Sequence, residues 1–259
     1  ALFTENHRLD EEVWLDLTEV SDAEWQKDPF SGSTRKILGD RYGAATKPLR
    51  IAPMAHHVMG GIKIDIRGVT SVPGLFAAGE VTGGVHGANR MGGNALSETV
   101  VFGKRAGDAA AQWVADSSRS TGQVDPDTVR RYLEHSSRAG KKIDSAKLTR
   151  QLQEIMWRAG GILRNQKGLA QTLDTVKDIQ DQAYGSSLQV PPDEIQRVLE
   201  LRFAASTAEL ILEAAQKRQE SRGAHFREDF PKQDDENWKG ALQVHLNSQG
   251  KKIWEFQAI

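Results

Sequence analysis

Three successive runs of apolar residues at helical spacing constrain this chain most. Leu148, Leu152, Ile155, Ala159 and Ile162 step by 4, 3, 4 and 3 residues, so they line one face of a helix. Asp144 and Ser145 stand before them as N-cap residues. Leu169, Leu173, Val176 and Ile179 form a second stripe. Pro191-Pro192-Asp193 opens a third helix, reaching about Gln219, with Ile195, Leu199, Ala205, Ala208, Leu212 and Ala215 inside. Three amphipathic helices with short connections predict an antiparallel bundle. An earlier helix near 126–136 leads into it.

Strands flank these helices. Val13 to Leu17 reads as a short strand, followed by Ser21 before a polar helical stretch that Pro29 stops. Ile62, Ile64 and Ile66 alternate with Lys63 and Asp65, the period of a half-buried strand. Leu75 to Ala78 is a short apolar run bounded by glycines, which suits a buried strand. Leu96, Val100, Val101, Ala106 and Ala110 fit a helix starting at Asn94. Near the C-terminus, Leu242 to Leu246 alternates, 247–250 turns, and Ile253 to Phe256 pairs back. The expected fold class is therefore α+β and multidomain. A partial α/β domain precedes an antiparallel helical bundle and a small C-terminal β-hairpin region.

Composition removes several functions. The net charge of −1 over 259 residues gives no field that favours nucleic acid. The chain has no cysteine, so it supplies no thiolate to a metal cluster. No run approaches the roughly 18 apolar residues of a membrane span. The start ALFTENHRLDEE lacks a basic and then apolar leader and has no initiator Met, which reads as a portion of something longer.

The chemistry concentrates between Gly79 and Gly93, where six glycines interrupt any apolar periodicity. Bare backbone there lets a flat or anionic ligand approach main-chain N–H groups. The loop ends at a helix N-terminus near Gly93-Asn94, whose first N–H groups favour an anion. Arg90 lies in the loop, and a guanidinium forks onto a carboxylate with two parallel bonds. His56 and His57 precede Gly60-Gly61. In extended backbone they point to opposite faces, so at most one faces a given site.

Longer motifs sharpen this. Ala55-His56-His57-Val58-Met59-Gly60-Gly61-Ile62 resembles the A-H-x-x-M-G-G-I signature of the fumarate reductase and succinate dehydrogenase flavoproteins. The segment from Val72 to Glu80 resembles their V-x-G-L-[FY]-A-x-G-E strand. Gly84-Val-His-Gly-Ala-Asn-Arg90-Met-Gly-Gly-Asn-Ala-Leu96 is similar to H-G-A-N-R-L-G-G-N-S-L. Gln219 to Pro231 resembles the E-S-R-G-A-H-x-R-x-D-[YF]-P stretch of the family's C-terminal part.

The resemblance implies an FAD-dependent oxidoreductase that interconverts fumarate and succinate by hydride transfer at flavin N5. By position, His56 and Arg90 are implied to bind the substrate carboxylates. Glu80 is implied to contact the FAD ribose region. Gly93, Asn94, Ala95 and Leu96 are implied to meet the isoalloxazine edge, where reduced flavin is negative. Ala95 stands where the family commonly has Ser, so contact there is by backbone. The implied domains are 1–45, the end of a capping (substrate) domain; 46–117, the C-terminal part of an FAD-binding domain; 118–220, a helical bundle; and 221–259, a C-terminal extension.

The chain carries no intact G-x-G-x-x-G after a strand, so the ADP-binding half of the FAD site is expected outside it. The resemblance also places the proton-donating arginine upstream, and Arg35, Arg41 and Arg50 are not assigned that role. No catalytic residue and no metal site is assigned within this chain. The implied partners are a dicarboxylate, the N-terminal FAD-binding half and an iron–sulfur electron-transfer subunit. The implied location is cytoplasmic, or peripheral at the inner membrane through partner subunits. Two alternatives stand beside this reading. One is L-aspartate oxidase, against which Gly92-Gly93-Asn94 leans, because that enzyme usually has A-S-N there. The other is a non-catalytic binding or assembly fragment without flavin. The 219–231 stretch reads as a structural connector, with its mixed charges forming an internal salt-bridge network or a subunit contact.

Overall fold

The computed structural model describes residues 12–27, 36–39, 41–44, 46–116, 125–127, 141–185, 188–189 and 192–259. The chain divides into two compact units, Ala1–His56 and His57–Ile259. Of the helix expected near 126–136 only residues 126 and 127 are described, and the stop at Pro29 lies outside the described residues.

In the first unit, β1 (Val13–Leu15) pairs antiparallel with β2 (Leu49–Ile51), Val13 opposite Ile51. A single helical turn, α1 (Asp22–Trp25), starts at Ser21 with a capping box. The Ser21 hydroxyl accepts from the Glu24 N–H, and the Glu24 carboxylate accepts from the Ser21 N–H at 3.2 Å.

The second unit opens with β3 (Ile62–Lys63), which pairs in parallel with β4 (Thr82–Gly83). The expected strand from Ile62 to Ile66 therefore stops early. Its end is taken by Asp65, whose Oδ1 accepts from the N–H groups of Arg67 and Val69 and folds the chain into a turn. Leu75 to Ala78 does not form the expected buried strand. Phe76 makes an isolated antiparallel bridge to Val69, and Leu75 is half exposed. A short apolar run cannot by itself distinguish a strand from a bridged turn. The helix expected from Asn94 forms as α2 (Asn94–Asp116).

The core of the unit is the helical bundle. It comprises α3 (Ser145–Ile155), a π-helical turn (Met156–Gly160), α4 (Gln166–Tyr184) and α5 (Ile195–Lys217). Asp144 caps α3 by accepting from the Lys147 N–H, as the sequence predicts. Asn165 caps α4 by accepting from the Gly168 N–H. Leu148, Leu152, Leu169, Val176, Ile179, Leu201 and Leu212 pack into one cluster, so most of the three stripes faces inward, although on the third helix Leu201 rather than Leu199 enters the core. Ile162 lies beyond the π turn and is partly exposed. Between these helices, β5 (Lys141–Lys142) and β6 (Leu188–Gln189) make a two-residue parallel pair. A short helix, α6 (Asp235–Trp238), precedes the C-terminal hairpin of β7 (Gly240–Leu246) and β8 (Lys252–Ala258). The architecture is α+β: the described strands form two-stranded pairs, and the second unit has a helical core.

Candidate functional site

The loop between Gly79 and Gly93 is tied to the structure from three directions. Gly61 lets the first tie form. A Cβ there would lie 2.2 Å from the Val81 carbonyl oxygen, so only glycine allows β3 and β4 to pair this closely. The Ile62 N–H donates to that same carbonyl at 2.8 Å. The second tie is Glu98, buried on α2, whose Oε1 accepts from the Gly79 N–H at 3.0 Å. The third comes from the C-terminal part, where the Ala224 N–H donates to the Ala88 carbonyl at 3.0 Å.

Inside this frame two histidines meet two carboxylates. Glu80 Oε1 accepts from the Val58 N–H at 3.0 Å, and Glu80 Oε2 lies 3.4 Å from His57 Nδ1. The His57 and His86 rings stand edge to face with centroids 5.3 Å apart. His86 Nε2 is 4.0 Å from Glu98 Oε2, beyond hydrogen-bond distance. His57 Nε2, His86 Nε2, Arg90 Nε and Glu98 Oε2 are buried with no hydrogen-bond partner among the described residues. Buried polar atoms without partners are costly, and several converging on one glycine loop mark a place for a polar ligand.

Arg90 is the uncommitted cation of the loop. It enters no ion pair among the described residues, and its one side-chain hydrogen bond runs from Nη1 to its neighbour's carbonyl, Met91, at 3.3 Å. Around it the backbone is open: a Cβ at Gly84, Gly87, Gly92 or Gly93 would meet nothing within 4 Å. At the start of α2 the expectation of unpaired N–H groups is corrected in part. The Asn94 N–H donates to the Met91 carbonyl and the Leu96 N–H to the Gly93 carbonyl, each at 3.2 Å. Gly93, with φ +83°, turns the chain into the helix and makes that local bonding geometry.

The structure thus brings Glu80 to His57 and holds Arg90 within a loop clamped at Ala88. His56 closes the first unit, whereas Arg90, Glu80 and Gly93–Leu96 belong to the second. Sequence reading gave His57 no place in a site and passed over His86, Glu98 and Ala224. His86 and Glu98 carried a signal, a titratable residue inside a glycine motif and an acid in the first turns of the helix that follows it. Ala224 carried none, because a backbone donor has no residue signature.

The 219–231 connector is a dense polar network. Buried Glu220 accepts from Arg218 at 2.5 Å, from Arg222 at 2.8 Å and from the Asp234 N–H at 2.8 Å. Buried Arg227 forks onto Asp229 with two bonds of 2.8 Å and donates to the Ala215 carbonyl at 2.7 Å. That pairing draws the Asp229 pKa down to about 2. Burial, and then the Arg164 guanidinium 2.7 Å from Nδ1, push the His225 pKa down to about 4.

Known proteins match both parts of the chain. Residues 9–96 fit the family model described as an FAD binding domain, and residues 149–257 fit that described as fumarate reductase flavoprotein C-term. One subunit of the fumarate reductase (CoM/CoB) of Methanothermobacter marburgensis is 37% identical over 238 residues, covering 90% of this chain and 43% of that one. An L-aspartate oxidase of Rhodospirillum rubrum is 40% identical over 190 residues, 73% of this chain and 60% of the other. Among solved structures, a quinol-fumarate reductase with menaquinol molecules superposes with a TM-score of 0.81 at 26% identity, over 99% of this chain and 48% of that one. The chain spans less than half the length of the reductase polypeptide it matches. With two family models side by side, relatives along most of its length and the same fold in a fumarate reductase, the chain belongs to the fumarate reductase and succinate dehydrogenase flavoprotein family, which also includes L-aspartate oxidase.

Proposed function

We propose that the complete protein interconverts fumarate and succinate, and that this chain supplies the arginine that grips the substrate and the loop that meets the flavin. The observation that carries the reading is Arg90, a half-buried guanidinium in an open glycine loop whose Nε has no partner and which pairs with no carboxylate among the described residues. Such a group is ready for a bidentate dicarboxylate. His56 is proposed as the second carboxylate ligand.

The residues present fit FAD. The glycine loop leaves space for a flat ring, and the 23-residue helix α2 presents its positive end at Gly93–Leu96. Gly93, Asn94, Ala95 and Leu96 would hold the isoalloxazine edge, with Glu80, fixed by Val58 and His57, at the ribose region. When bound, FAD supplies or accepts the hydride. Arg90 would orient the alkene and take up charge as it shifts toward the carboxylate during reduction. The proton donor is assigned to an arginine outside this chain.

The same reading gives the protein domain limits near 45, 117 and 220, an N-terminal half that binds ADP, an iron–sulfur partner protein, and a cytoplasmic or peripheral inner-membrane place. No helix among the described residues is long and apolar enough to cross a membrane. The test is anaerobic turnover by the complete flavoprotein. Fumarate reduction with a reduced viologen dye, and no oxidation of L-aspartate, is the expected result. Aspartate oxidation with negligible fumarate reduction would assign the protein to the oxidase branch. Absence of both, in a protein that also holds no FAD, would favour the binding or assembly module.

A further inference from the structure

We infer that Gly223 is a positioning residue for Arg90, so that the C-terminal connector sets the geometry of the substrate loop. The inference rests on the proposed role of Arg90 as the carboxylate ligand.

Ala88 lies two residues before Arg90. Its carbonyl accepts from the Ala224 N–H, and the Gly223 backbone is pressed against the same peptide. A Cβ on Gly223 would lie 2.3 Å from the Ala88 oxygen, 2.5 Å from its carbonyl carbon and 2.8 Å from its Cβ. All three are far inside contact distance, and two belong to backbone that no rotamer change can move. Gly223 also has φ +58°, in the left-handed region that favours glycine.

The tip that presses on Ala88 is stiff. Arg222 and His225 exchange backbone hydrogen bonds of 2.8 and 3.0 Å across it. The Arg222 guanidinium is held by Glu220 at 2.8 and 3.0 Å and by Asp235 at 2.6 Å. The His225 ring rests against Arg164. A side chain at 223 therefore displaces the loop rather than the connector. Restoring ordinary contact needs a retreat on the order of 1 Å. A misplacement of that size at a substrate-holding group is enough to weaken binding by about tenfold or more.

The experiment uses the complete flavoprotein, as wild type, Gly223→Ala and Arg222→Lys. FAD content, melting temperature, kcat and KM for fumarate are measured, with succinate affinity read from the change in flavin absorbance. Arg222→Lys adds no atom at the contact but loosens the tip, so it decides the matter if Gly223→Ala fails to fold. In protein that keeps FAD, Gly223→Ala is expected to raise KM and the succinate dissociation constant at least about tenfold with a smaller change in kcat. Arg222→Lys is expected to raise both by a few-fold. Unchanged KM and succinate affinity in the folded variants would overturn the inference. A wild-type protein that binds no dicarboxylate would instead sink the proposed function, which keeps the two failures distinct.

Discussion

His225 shows how one side chain converts a sequence motif into a structural constraint. Arg164 Nη1 donates to Nδ1 at 2.7 Å, so Nδ1 is the acceptor and the ring proton sits on Nε2, facing the Arg218 carbonyl at 3.3 Å. Burial disfavours the charged ring, and protonation would also set a second N–H against the Arg164 guanidinium, so the pKa falls from 6.5 to about 4. In acid the unfolded chain then takes up the proton first. The stability contribution is full above pH 6.5, declines toward about pH 4, and is level below. Asp229 adds a lower window: its pKa, drawn by Arg227 from 3.8 to about 2, means its contribution is lost only between those values. Melting temperature measured from pH 7 to 4 is expected to fall, with a shallower fall in His225→Gln; an equal slope in the two proteins would refute the assignment. Glu220 is buried and receives Arg218, Arg222 and the Asp234 N–H, so Glu220→Ala leaves two guanidinium groups short of their acceptor. A loss of about 3–5 kcal/mol in chemical denaturation is expected; a loss below about 1 kcal/mol would show the network to be dispensable. At this scale the motifs single out Arg90 and Glu80 as candidates. They do not show which of two adjacent histidines turns inward, because that depends on Glu80 and His86 arriving from another part of the chain.

Among the elements, the helices were legible and the short strands were not. A stripe such as Leu169, Leu173, Val176 and Ile179 repeats its signal along α4, and its residues are buried together. Two-residue pairings such as β3 with β4 have no periodicity to read, and their position is fixed by Gly61 and the Val81 carbonyl instead. Helix α5 gives Leu201, Ala205, Ala208, Leu212 and Ala215 to the bundle core. Its Leu212 is wholly buried in the cluster with α3 and α4 and touches the π turn at Gly160. Leu212→Ala is expected to cost about 2–5 kcal/mol, read from the shift of a urea unfolding midpoint. A cost near zero would mean the cavity is filled by collapse of the flexible Met156 beside it. The C-terminal hairpin was also legible, from its alternation and turn. Its contact with β3, Lys63 Nζ to Gln243 Oε1 at 2.7 Å, was not, since both residues are polar and distant in sequence.

For the whole molecule, the proposal that a larger flavoprotein surrounds this chain bears on α2. Leu96 and Val100, 76% and 72% exposed, and Val114, 72% exposed, line the helix with Gly103 and Gly107 between them. These positions are three, four or seven residues apart, one continuous face of apolar and small residues suited to close packing against another element. The relatives it resembles are about twice its length, and the proposed nucleotide half would cover that face. The 259-residue chain purified alone is accordingly expected to be colourless; a preparation with a flavin spectrum would show that residues 57–259 and what precedes them suffice for FAD. The division of labour stands or falls with Arg90. In the complete protein, Arg90→Ala is expected to abolish fumarate–succinate turnover while FAD remains bound in wild-type amount. Turnover near the wild-type rate in that variant would contradict the account.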